Sequence, residues 1–162
     1  MKRLFGVVAS VLFVLPDAQA QTCAAAITLT SCSDIGCSYV ADTTQSTNWM
    51  TTFGPLISPS NDVLYQFTGG QGISGTITPT ASNYLFALYL IPSCSDTGTE
   101  PPPIGATATI GRAIDLDASG VVGGHTYYLA VTGAAAGGSD ANGTLSFVGL
   151  IMPVTLQTFE VD

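Results

Sequence analysis

The sequence predicts an all-β domain. Short runs rich in Val, Ile, Leu, Tyr, Phe and Thr recur along the chain. Turn residues punctuate them at intervals near the 8–12 residues, about one strand plus a turn, of a sandwich or barrel. Beyond the first twenty positions no run has the period of an amphipathic helix. Without helices between strands, a parallel α/β sheet is disfavoured. The expected architecture is an antiparallel, jelly-roll-like β-sandwich built from residues 21–162 as a single domain, with residues 1–20 forming a signal peptide.

The first segment carries the export reading. Lys2 and Arg3 precede an apolar run over positions 4–15, Pro16 ends it, and Ala18-Gln19-Ala20 offers small residues to a signal peptidase. That is the n-region, h-region and cleavage-site pattern of a secretory signal, with cleavage expected after Ala20. The run is too short for a membrane span, which takes roughly 20 apolar residues. Cys23 is two positions past the first mature residue, so a lipoprotein is not expected. The mature chain is placed outside the cytoplasm, periplasmic or extracellular, and the signal looks bacterial.

The strand candidates follow in order. Positions 26–30 and 37–40 are modest. Positions 41–61 form a long polar connection holding Trp49, Phe53 and Pro55. In Asp62-Val63-Leu64-Tyr65-Gln66-Phe67-Thr68, Val63, Tyr65 and Phe67 share one face. Positions 73–80 come after a glycine-rich turn. Positions 84–91 (YLFALYLI) are nearly continuous in apolar residues, the mark of a strand buried on both faces or lying under a covering loop. A loop with Cys94 and three prolines spans 92–103. Positions 104–110 and 112–116 are further candidates, and 125–132 (HTYYLAVT) is the second strong one. Positions 144–151 and 154–161 finish the chain, with Pro153 separating or bulging them.

Charge excludes whole classes of partner. The formal net charge is −8. Past the signal, Arg112 is the sole basic side chain. Nucleic acid needs a basic footprint to displace counterions, and anionic lipid needs one too. Neither partner is expected, and the mature chain has no transmembrane segment. Charged residues are only 9% of a hydrophobic chain, so disorder is not expected either.

The four cysteines, Cys23, Cys32, Cys37 and Cys94, all lie beyond the cleavage site. An even count in an oxidising compartment reads as two disulfides. Three pairings are open: Cys32 with Cys37 would close a short loop and leave Cys94 to tie the mid-chain to Cys23. Zinc is disfavoured because no C-x2-C pair exists and the single histidine, His125, is remote.

The order of segments resembles bacterial pre-peptidase C-terminal domains, small secreted β-sandwiches. The likeness rests on residues 62–68, on a strand at 82–90 in which small polar residues and Tyr84 precede Leu88-Tyr89-Leu90, and on Gly124-His125-Thr126-Tyr127-Tyr128-Leu129-Ala130-Val131. It covers roughly residues 60–150. The resemblance implies a jelly-roll-like accessory module without catalysis. Relatives carry an Asp early in the second of these strands, where Leu85 stands here, so no calcium role carries over.

No catalytic constellation is apparent. There is one histidine, no Gly-x-Ser-x-Gly elbow, and the thiols should be oxidised. His125 reads as a turn residue. The calcium candidate is Asp115-x-Asp117-x-Ser119-Gly120, hard oxygens at alternate positions before a glycine. The twelfth position is Thr126 where an EF-hand has Glu, and a strand with one wet face alternates in the same way. Asp96, Glu100 and Asp140 form a second loop set. No other cofactor is expected. Trp49 and Phe53 are the candidate ligand-binding aromatics, with Trp49 alternatively capping the core. Asn142-Gly143-Thr144 reads as a hairpin turn.

These features favour a secreted, non-enzymatic binding or interaction module whose partner is a carbohydrate or cell-surface component. The alternatives are a secreted hydrolase using loop carboxylates and a structural envelope or matrix component.

Overall fold

The computed structural model describes residues 22–29, 37–58, 60–68, 73–134 and 142–153. The predicted signal peptide, Cys32, Asp140 and the strand predicted at 154–161 lie outside them. The protein is all-β, with short 3-10 turns at Cys23–Ala25 and Thr43–Gln45. The strands are β1 (Ile27–Thr28), β2 (Cys37–Asp42), β3 (Thr52–Phe53), β4 (Leu56–Ile57), β5 (Val63–Thr68) and β6 (Ile73–Ser82). They continue with β7 (Phe86–Ile91), β8 (Thr99–Glu100), β9 (Gly105–Thr107), β10 (Ile114–Asp115), β11 (Thr126–Gly133) and β12 (Thr144–Pro153).

Three sheets result. The first runs β1-β5-β11-β7-β9, the second β10-β6-β12-β2, and a small third β4-β3-β8. Pairing is antiparallel except for β1 with β5 and β3 with β8. The two larger sheets share one apolar core. Val63, Tyr65, Phe67, Leu88, Leu90, Leu129 and Val131 face it from the first sheet. Ala41, Ile77, Ile114, Leu145 and Phe147 face it from the second. Tyr65 meets Phe147 edge-on across the core at 5.2 Å between ring centroids, and Tyr39 stacks on Phe147 at 5.3 Å. Such geometries add about 0.5–1.5 kcal/mol beyond the burial itself.

The alternation expected of β5 is present: Val63, Tyr65 and Phe67 share the core face and Leu64 the other. β7 is buried on both faces, because Phe86, Leu88 and Leu90 point into the core while Ile91 joins a second apolar cluster outside it. The polar connection expected at 41–61 is more ordered than its composition implied. β2 extends through Asp42, and Gly54-Pro55 joins β3 to β4, with Phe53 paired to Leu56. Gly54 has φ +57°, and a Cβ there would stand 2.8 Å from Cγ of Pro102. Glycine followed by proline meets the demands of a primed hairpin turn. The 92–103 loop likewise contains β8, parallel to β3. The strand expected at 104–110 contracts to β9, because the chain turns at 109–111 with Gly111 at φ +77°. β12 continues to Pro153, with a register shift against β6 between Ser146 and Phe147.

Candidate functional site

A strand's side chains alternate between faces, so the core position of Leu88 and Leu90 turns Ala87 and Tyr89 outward. Tyr89 lies directly opposite Ala106 of β9. β9 itself sits close under the neighbouring turn: a Cβ on Gly105 would meet Ile114 Cγ2 and Ser119 Oγ, each at 2.7 Å. Beyond β9 the chain doubles back. Gly111 N donates to Pro79 O at 2.8 Å and Arg112 N to Thr109 O at 3.1 Å. This brings Arg112 beside the outer face of β7 and β9.

The result is an open groove of about 320 Å³ lined by Ala87, Tyr89, Ala106, Thr107, Thr109 and Arg112. The alanines leave its floor shallow and smooth. Tyr89 is half-buried, and its ring is backed by Phe53, with centroids 4.7 Å apart. Burial raises the Tyr89 hydroxyl above its ordinary pKa, so it is a neutral donor and acceptor at physiological pH. The Thr107 hydroxyl accepts from Thr109 N at 3.4 Å. The exposed Arg112 guanidinium has no ion pair or hydrogen bond with the described residues.

The predicted site residues fall elsewhere, or beneath this groove. Phe53 is fully buried with Met50, Leu64, Ile91 and Ala130, so it has no free face for a ligand and instead supports Tyr89. Trp49 is half-buried against the same cluster, and its backbone N–H donates to Asp62 Oδ2 at 3.1 Å. Asp115, Asp117 and Ser119 belong to a tight turn. Asp115 Oδ1 accepts from Ala118 N at 3.0 Å, and Ser119 Oγ donates to Asp115 O at 2.6 Å. Ile114 and Leu116 are buried while Asp115 and Asp117 are exposed, the pattern of a segment with one wet face.

Cys23 is disulfide-bonded to Cys94, and Cys37 is also disulfide-bonded. Among the described residues, Cys23, Cys94 and Asp96 cluster closely enough to suggest a metal site, but both sulfurs are consumed in the disulfide. Asp96 Oδ1 instead accepts from Cys23 N at 2.7 Å. Glu100 is buried and both its oxygens accept from Ser95. Asn142 Oδ1 accepts from Asn61 N at 3.0 Å, so the Asn-Gly-Thr segment clamps the start of β5 as it leads into β12.

Sequence reasoning missed two groove residues for different reasons. Arg112 was visible as a lone cation, but nothing in the sequence placed it beside β7. Tyr89 was one aromatic in an apolar run, and only its odd position relative to Leu88 and Leu90 marked it as outward-facing.

Asp62 is the most perturbed carboxyl described. It is 1% exposed. Desolvation raises its pKa to about 6, while hydrogen bonds involving Met50, Thr132, Ser58 and Trp49 pull it back down. Met50 N donates to Oδ2 at 2.8 Å and Ser58 Oγ to Oδ1 at 3.2 Å. Ser58 Oγ also lies 2.6 Å from Thr132 Oγ1. This Ser–Asp pair has no histidine to complete a triad. His125 is exposed at the far end of β11, roughly 23 Å from Thr132 at the ~3.3 Å rise of an extended strand. The carboxyl therefore ties the 47–58 segment to the five-stranded sheet.

No family model, curated protein or solved structure matches the chain. No helix among the described residues is long and apolar enough to cross a membrane.

Proposed function

We propose that this is a secreted, non-enzymatic module of jelly-roll type that binds a carbohydrate or another cell-surface component in the groove along β7 and β9. One observation carries the reading. An aromatic ring, the Thr109 hydroxyl and a guanidinium with no partner among the described residues lie together along one shallow cleft. Ligand sites combine an apolar floor with a few placed polar groups in this way.

The architecture supports it. Leaving aside β1 and the small third sheet, the orders β2-β12-β6-β10 and β5-β11-β7-β9 are those of two interleaved Greek keys, as in an eight-stranded jelly roll. The segments resembling pre-peptidase C-terminal domains include β5, β7 and β11, which are neighbours in the first sheet. That is in keeping with an accessory module of that kind. The Cys23–Cys94 disulfide fits an oxidising compartment and hence export. The distance from His125 to the Ser58–Asp62 pair favours binding over hydrolysis.

A glycan array probed with the purified protein tests the reading. Retention on at least one glycan class is expected, with Tyr89→Ala losing it and the folded state checked by circular dichroism. No retention on any glycan, or retention indifferent to Tyr89→Ala, would sink the groove as a carbohydrate site. Loss with Trp49→Ala alone would move the site to the 47–58 segment.

A further inference from the structure

We infer that the groove selects an acidic sugar: a uronic acid unit, with its carboxylate on Arg112 and its ring against Tyr89. The inference rests on the groove being a carbohydrate site, and it names the sugar class. The first argument is charge complementarity. The chain has eleven carboxylates and three basic residues, yet the Arg112 guanidinium has no carboxylate partner among the described residues. A guanidinium presents a planar fork of donors that matches a carboxylate with two parallel hydrogen bonds. It is the one basic side chain among the described residues, so an anion is the ligand group the groove can recognise by charge.

The second argument is shape. Ala87 and Ala106 carry only methyl groups, which leaves the Tyr89 ring accessible beside a smooth floor. The apolar face of a pyranose ring packs on such a surface, while its hydroxyls exchange hydrogen bonds with Thr109 and the Tyr89 hydroxyl. A volume of about 320 Å³ is at the small end for ligand sites and suits one or two rings. An acidic peptide also supplies a carboxylate. It lacks the flat polyhydroxylated ring that matches Tyr89 and the threonine together. The net charge of −8 repels polyanions at long range, but physiological salt screens it beyond about 8 Å. A short oligosaccharide at that salt is therefore the right probe.

Isothermal titration of the full chain with trigalacturonate, with the uncharged galactose trimer and with a glutamate-rich peptide tests this. The expected result is trigalacturonate binding about tenfold or more tighter than the neutral trimer, equivalent to roughly 1.4 kcal/mol. Arg112→Gln should erase that preference, and Arg112→Lys should restore part of it. Arg112 is exposed, so an unchanged melting temperature would confirm that these variants fold. Equal binding of both trimers, lost together in Tyr89→Ala, would overturn the acidic preference and leave the carbohydrate reading standing. Unaltered trigalacturonate binding by Arg112→Gln, or peptide binding as tight as trigalacturonate, would also overturn it. Failure of trigalacturonate to bind would overturn the acidic preference, while the glycan array decides the carbohydrate reading separately.

Discussion

The two faces of the five-stranded sheet are covered in different ways. On the inner face, Val63, Tyr65, Phe67, Leu88, Leu90, Leu129 and Val131 meet a second sheet whose long strands β6 and β12 supply Ile77, Leu145 and Phe147. On the outer face, Leu64, Ile91 and Ala130 are covered by Met50 and Phe53, from a segment whose strands are two residues long. The inner interface is formed by two sheets across one shared core. The outer one is a patch, and the Tyr89–Ala106 pair beyond it forms the groove. A partial cover thus does two jobs: it buries the apolar outer face of β7, and where it ends it leaves an aromatic ring backed but accessible.

If that contrast is sound, equal truncations on the two faces should differ in cost. Phe147 and Phe53 are both fully buried. Phe147→Ala opens a cavity between two sheets that cannot separate independently, and should cost about 3–5 kcal/mol. Phe53→Ala should cost less, about 2 kcal/mol, because the β4-β3-β8 patch can open locally and so caps the loss. Urea unfolding of both variants measures the difference. Equal costs would mean that the outer cover folds and unfolds with the two larger sheets.

Legibility in the sequence follows the same division. β5, β7 and β11 were readable because long strands that bury one or both faces repeat apolar residues with a period of two or in continuous runs. Segments 47–58 and 92–103 have no such period, since a two-residue strand is too short to show one. Phe-Gly-Pro-Leu at 53–56 did carry a hairpin signal, but it was masked by its polar surroundings. The groove was the least legible feature. It depends on Arg112, just past the turn at 109–111, lying beside Ala87 and Tyr89 of β7, a tertiary placement with no local sequence signal. Asp115 and Asp117 face outward beside buried Ile114 and Leu116, an alternation that a segment with one wet face and a metal loop share in sequence.

Asp62 joins the two regions, so its titration reports on their connection. The folded pKa of about 6 lies above the ordinary aspartate value of 3.8. The protonated form is therefore favoured by folding. Its stabilisation is complete below the unfolded pKa and is lost as pH rises through about 6, by up to about 3 kcal/mol at 1.36 kcal/mol per unit. Asp62→Asn keeps a neutral acceptor for Trp49 and Met50 N–H. It should flatten the fall in stability between pH 4.5 and 7.5 relative to the parent, as measured by urea midpoints at each pH. Using the parent as reference removes the general repulsion of the other carboxylates. An unchanged slope would show that the carboxyl titrates without contributing to the attachment of the outer cover.

The smallest effect should come from the other side of the same hairpin. In the β3–β4 ladder Phe53 pairs with Leu56 and Thr52 with Ile57. Phe53 is fully buried, whereas Ile57 is 77% exposed on the edge strand of the small sheet. Ile57→Thr keeps the β-branched shape that suits a strand and removes only exposed apolar surface. Its unfolding free energy should stay within about 0.5 kcal/mol of the parent. A loss approaching that of Phe53→Ala would mean that Ile57 is packed in solution and that the outer cover extends past β4. The groove would then be a gap within a larger cover, not the place where it ends.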